Sequence, residues 1–159
     1  MTRELAPIPF DYVVASADVI VEGIVQPIGT FVSDDGCDLY TDYVVTPRSL
    51  IAGKLPSPSQ PGPSVVVRQW GGETVVDGVK VVFKDKELPP MMAGQHVILF
   101  LASTQSPGLY NIASGPAGVF SVKQGRAKAW TTAAEVFHGK HADVPMSDFV
   151  AEIKQLKRR

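Results

Sequence analysis

The chain predicts a mostly-β fold, a barrel or sandwich of short strands with helical segments near its ends. Three observations carry that prediction. Runs of Val, Ile, Thr and Tyr recur at close spacing through the middle of the chain, bounded by turn residues. Thirteen prolines and fourteen glycines among 159 residues supply the breaks that many short strands need. Apolar residues at helical spacing occur only near the two ends, so no strand–helix–strand alternation builds a parallel sheet. A chain of this length can close a single core, and one domain over residues 1–159 is expected, with a helical C-terminal extension over about 131–157.

The elements follow in order. Phe10, Val13, Val14 and Ala17 fall at i, i+3, i+4 and i+7, one face of a short helix that Pro9 and Asp11 can start. Residues 19–25 are a β-branched first strand ended by Pro27, with Gly23 at a bulge or bend. Residues 39–46 form the second, interrupted by Pro47. Leu50-Ile51-Ala52-Gly53 then leads into the proline-rich stretch 54–63, read as an inter-strand surface loop. Residues 64–70 make the third strand, which Gly71-Gly72 breaks.

Val75-Val76-Asp77-Gly78-Val79-Lys80-Val81 is the strongest local signal, an Asp-Gly turn between β-branched runs. Pro89-Pro90 closes that ribbon. Residues 96–101 are nearly all apolar and are expected as a central strand buried on both faces. Residues 109–113, 119–123 and 126–130 are further short strands, the last two joined by a Gln124-Gly125 turn. Thr132-Ala133-Ala134-Glu135 is a capping-box pattern opening a brief helix that Gly139 can end. The final helix begins near Ser147, with Phe149, Val150, Ile153 and Leu156 on one face. Lys154, Lys157, Arg158 and Arg159 crowd its C-terminal end, where cations meet the helix dipole favourably.

The order of features from Ala17 to Val67 points to a barrel. It runs Ala-Asp-Val-Ile-Val-Glu-Gly-Ile-Val, a polar loop, Tyr-Thr-Asp-Tyr-Val-Val, a Gly-Lys-Leu turn and Val-Val-Val-Arg. This resembles the first half of the netrin-like module of tissue inhibitors of metalloproteinases, an OB-type β-barrel. Arg68-Gln69-Trp70-Gly71-Gly72 followed by the strand from Gly94 to Leu101 is also similar to a group of bacterial exported proteins. The resemblance runs from Ala17 to Leu101 and consists of fold elements. It implies a closed or partly open OB-like barrel and a secreted or periplasmic address, with a leader preceding the present Met1; a cytoplasmic location is the alternative. Protease inhibition is not implied, because the inhibitors work through a disulfide-braced N-terminal cysteine, whereas this chain starts Met-Thr-Arg and carries one cysteine, Cys37.

Composition narrows the function classes. Fifteen basic and sixteen acidic residues leave a net charge of -1, so no global field draws nucleic acid or an anionic membrane. A lone cysteine forms no intrachain disulfide, and no apolar run is long enough to cross a bilayer. Asp34, Asp35, Asp38 and Asp42 cluster around Gly36, oxygen donors of the kind a hard cation takes, but without EF-hand spacing. His138 and His141 lack the partners of a zinc motif, and His96 opens an apolar strand. No nucleophile elbow or phosphate loop is present, and Cys37 has no neighbouring histidine. Neither a catalytic set nor a cofactor is therefore expected.

The function expected is a non-enzymatic extracytoplasmic module that binds a protein or a small ligand. Its candidate binding residues are Tyr40, Arg68, Trp70, Gly71 and Gly72, because mobile connections on a rigid barrel commonly carry binding. Two alternatives stand beside it. One is a metal-dependent hydrolase using the Asp34–Asp42 cluster with the histidines. The other is a single-stranded nucleic-acid-binding barrel presenting Tyr40, Tyr43, Arg68, Trp70 and Lys80.

Overall fold

The computed structural model describes residues 8–55, 65–84, 86, 88–132 and 138–158. Most of the proline-rich stretch and the capping-box residues 133–135 lie outside the described residues. Helix α1 is Phe10–Ser16. Ten strands follow: β1 Val19–Val32, β2 Leu39–Ala52, β3 Val66–Trp70, β4 Gly72–Val76, β5 Val79–Phe83, β6 Gln95–Ser103, β7 Leu109–Ile112, β8 Val119–Lys123, β9 Arg126–Ala129 and β10 Asp143–Pro145. Helix α2, Met146–Lys157, comes last. Short 3₁₀ turns at Gly115–Gly118 and Gly139–Ala142 precede β8 and β10.

Strands β1-β2-β3-β7-β6 pair in that order and β6 returns to β1, which closes a five-stranded barrel consistent with an OB-like fold. All these pairings are antiparallel except β3 with β7. The second edge of β6 is shared. Leu101–Ser103 pairs with β7 inside the barrel, while Val97–Leu99 pairs with β8, which starts the β8-β9-β10 extension. Ribbon β4–β5 is a separate two-stranded sheet turning at Asp77-Gly78, both at positive φ, as the two-residue turn requires.

Two strands run further than the sequence predicts. β1 continues through Pro27 to Val32, and β2 through Pro47 to Ala52. The reason is that each proline sits where its strand has one neighbour. The β1–β6 ladder stops at Val25 and the β2–β3 ladder at Val44, so a missing N–H breaks no second ladder. A register shift at Glu22/Gly23 matches the expected bend, and another between Pro27 and Gly29 leaves Ile28 bulged and exposed. β10 has no strand signature in the sequence. It is three residues long, held by β9 and by the chain's turn into α2.

The central strand β6 separates two cores by its period of two. Val97, Leu99 and Leu101 point into the barrel, where they meet Val21 and Val25 of β1 and Tyr43 and Val45 of β2. Ile98 and Phe100 point outward beneath α1 and α2. There Phe10, Phe100, Phe120 and Phe149 form one aromatic cluster, with ring centroids 4.7 to 6.3 Å apart. Phe149 and Ile153 are the buried residues of α2, as its apolar spacing predicts. Among the described residues no helix is long and apolar enough to cross a membrane.

Candidate functional site

Beyond Tyr43 the barrel interior stops being purely apolar. Val67 and Gln69 share the inward parity of β3, and Thr41 and Tyr43 that of β2, with Thr41 directly opposite Gln69. Just past Gln69 the chain leaves β3 through Gly71 and enters β4 at Gly72. The β4–β5 register sets Gly72 opposite Phe83, which returns the Phe83 ring to the end of β3. Phe83 stacks there on Trp70, centroids 5.8 Å apart and planes 18° apart. Between this pair, the inward face of β2–β3 and the Leu88-Pro89-Pro90 segment lies a cavity of about 330 Å³, at the lower end of ligand-pocket volumes.

Each wall has a physical cause. The Trp70 indole N–H donates to Asp38 Oδ1 at 3.0 Å, which orients a ring that stays 42 % exposed. The Thr41 hydroxyl donates to the Gly71 carbonyl at 2.8 Å, so the Thr30 hydroxyl 3.0 Å away supplies the proton between those two oxygens. A Cβ at Gly72, whose φ is +139°, would lie 2.4 Å from Thr41 Oγ1. Only glycine lets β4 pass this close.

Two polar groups reach the cavity from the barrel interior. Gln69 is 94 % buried, having 6 % relative exposure, and its Nε2 faces the carbonyls of Leu88 at 3.2 Å and Pro89 at 3.4 Å. Two acceptors there fix the amide orientation, nitrogen toward the carbonyls. Its Oε1 is buried and has no hydrogen-bond partner among the described residues. The Tyr43 hydroxyl accepts from the Met91 N–H at 3.2 Å, and burial raises the pKa of the phenol. It stays a neutral donor. The charged lining residues Glu73 and Lys84 come from the outer ribbon and the chain leaving it, and Glu73 is paired with Lys80 at 2.9 Å on the surface.

The chain matches no known family model, no curated protein and no solved structure. The site therefore rests on its own geometry. Of the five residues expected to bind, Trp70, Gly71 and Gly72 line this cavity. Tyr40 and Arg68 lie on the outward face of β2–β3 and line a neighbouring hollow of about 220 Å³, which shares Gln69, Trp70 and Leu88. Arg68 makes a fork with Asp42, 2.8 Å from Nε to Oδ1 and 3.0 Å from Nη2 to Oδ2, and its guanidinium lies 5.5 Å from the Tyr40 ring centroid.

The aspartates do separate work. Asp35 accepts from the Ser33 hydroxyl and the Cys37 N–H within the loop, Asp38 holds Trp70, and Asp42 holds Arg68. Cys37 is exposed. The histidines are dispersed as well. His96 pairs with Glu22 at 2.6 Å, and His141 pairs with Glu152 at 3.0 Å and stacks on Phe10. His138 is buried against Phe120, and its pKa falls to about 4, first from burial and then from the charge of His141. Among the described residues no group of three or more His, Cys, Asp or Glu side chains is arranged to hold a metal ion.

Gln69, Tyr43 and Phe83 complete the site. Tyr43 was expected on a binding face, but it points into the barrel. Gln69 carried a signal that sequence reasoning passed over, a polar residue at the parity of Val65 and Val67. Phe83 carried none, since only the ribbon's register brings it to Trp70.

Proposed function

We propose that the domain is a non-catalytic binding module of netrin-like architecture, working outside the cytoplasm and holding a protein or small ligand in the cavity at its barrel mouth. One observation carries the reading: an aromatic pair, half open to solvent, stands over a cavity floored by buried neutral polar groups. Concave, mostly apolar sites with a few convergent polar groups suit recognition, and barrel mouths are a common place for them. The extracytoplasmic address rests on the resemblance of residues 17–101 to exported proteins.

The rival readings draw no comparable support. A metal-dependent hydrolase needs converging donors, whereas Asp35, Asp38 and Asp42 serve three different partners, His96 and His141 pair with Glu22 and Glu152, and His138 is buried against Phe120. Single-strand binding needs free cations beside the aromatic residues, and Arg68 and Lys80 are paired with Asp42 and Glu73.

Titrating the labelled protein with candidate ligands while observing the Trp70 indole and the Gly71 and Gly72 amides tests the reading. Saturable shifts at those positions are expected, without turnover of ester, phosphoester or peptide substrates. Turnover that co-purifies with the protein overturns it. Finding the native gene product only in the cytoplasmic fraction removes the address.

A further inference from the structure

The β4–β5 ribbon lacks what a sheet in water needs. A lone two-stranded hairpin is marginal unless a further strand or layer covers it, yet this ribbon is a separate sheet with exposed valines on both faces. Val75 and Val82 share one face, Val76 and Val79 the other, and Val75 and Val79 are 66 % and 63 % exposed. β4 passes against Thr30 and Thr41 at Gly72, whereas β5 has β4 as its one paired neighbour among the described residues. The β5 edge carries no proline and no bulge to blunt it. Its single charge, Lys80, is balanced by Glu73 at 2.9 Å. The two-residue turn makes Val76 and Val79 a hydrogen-bonded pair, so Lys80 and Val82 point their N–H and C=O groups away from β4.

We propose that a second copy of this chain covers that edge, β5 pairing antiparallel with β5 about a two-fold axis at Val81. Lys80 then exchanges both backbone hydrogen bonds with Val82 of the other copy, and Val82 with its Lys80, while the ladder to β4 stays intact. This register is self-complementary. On one face Val79 meets the other copy's Phe83 and Val81 meets Val81, apolar pairs of the kind that stabilise sheets. On the opposite face Lys80 stands between Val75 and the other copy's Val82, so no like charges are opposed. The same register carries the exposed turn residue Asp77 to the exposed Lys84 of the other copy, a match of charge at each end. A net charge of -1 adds little repulsion between copies. The four ribbon valines leave on the order of 350 Å² of apolar surface open, the size at which an exposed patch is commonly functional. That is less than the roughly 800 Å² one partner of a standard interface buries, so the dimer belongs to the weak class.

Sedimentation of the intact protein from micromolar to near-millimolar concentration is expected to show a monomer–dimer equilibrium. The ¹⁵N amide resonances of Lys80 and Val82 should move with the dimer fraction. Val82→Pro removes an N–H that points away from β4, so it blocks the pairing and spares the ribbon's own ladder. Val79→Lys removes the contact with Phe83 and sets an unpaired charge on the edge. Each variant should raise the dimer dissociation constant at least tenfold, with an unchanged far-UV spectrum. If Val82→Pro disturbs the ribbon, Val79→Lys at its mostly exposed position decides, together with the wild-type amide shifts. A protein that stays monomeric over the whole range overturns the proposal. So does a dimer that forms as tightly in both variants, or one whose formation leaves the Lys80 and Val82 amides unmoved, because its contact then lies elsewhere.

Discussion

The molecule holds two aromatic clusters at opposite extremes of burial. Beneath the helices, Phe100, Phe120 and Phe149 have no exposure at all and contact one another edge-on or tilted. At the barrel mouth, Trp70 is 42 % exposed and stacked with Phe83 over a cavity. The exposed valines 75, 76, 79 and 82 and the exposed Phe31 and Val32 belong to the same ribbon and to the far half of β1, while the helical side is closed by Phe10, Val13, Val14, Phe149 and Ile153. The contrast separates two uses of one residue type. Rings with complementary neighbours on every side stabilise the fold. A ring held by one hydrogen bond and one stacking partner, with a face left open, is placed to meet something else.

The contrast predicts opposite outcomes for substitutions at the two ends. The largest effect belongs to Phe149→Ala, which empties the centre of the helical cluster. It should cost about 4 kcal/mol of unfolding free energy by urea titration, and leave ligand binding at Trp70 unchanged in the folded fraction. A loss under about 1 kcal/mol would mean that the helices cover the sheet loosely and the contrast is false.

Next comes the imidazole within that cluster. His138 lies buried against Phe120, with the backbone of Ala117 facing its ring. Its native pKa of about 4 lies below the ordinary 6.5, chiefly through burial, so between these values the unfolded chain binds the extra proton. Its contribution is therefore complete above pH 6.5 and drains away as pH falls toward 4. The loss should be on the order of 2 kcal/mol over that window. His138→Leu should flatten this part of the stability–pH curve relative to wild type. Identical slopes for the two proteins would show that carboxylates alone cause the acid sensitivity.

Legibility in the sequence divides along the same line. Helix α1, the buried strand β6, the Asp77-Gly78 turn and the apolar face of α2 were readable because each is written in local spacing, 3.6 or 2, or in a turn dipeptide. The strand ends at Pro27 and Pro47 were misjudged, because whether a proline breaks a strand depends on how many neighbours the strand has there, which is a tertiary fact. The site was half legible. Trp70-Gly71-Gly72 stood out as an aromatic beside a strand break, whereas Phe83 joins it only through ribbon register, and Arg68 turns out to be tied to Asp42.

The smaller effects test the open end. Gly72→Ala places a methyl 2.4 Å from Thr41 Oγ1 on backbone at φ +139°. It should cost about 2 kcal/mol and narrow the cavity, so ligand affinity and stability fall together. Trp70→Ala is the sharper test because it separates them. The ring gives up one hydrogen bond to Asp38 and one stack with Phe83, both half in water, which is worth about 1 kcal/mol. Ligand affinity should nevertheless fall at least tenfold, because the wall on which a ligand lies is gone. Phe149→Ala is expected to do the reverse, with a large stability loss and unchanged affinity. If Trp70→Ala unfolds the protein as severely as Phe149→Ala does, the barrel mouth is a second core, and the open ring face is a matter of packing.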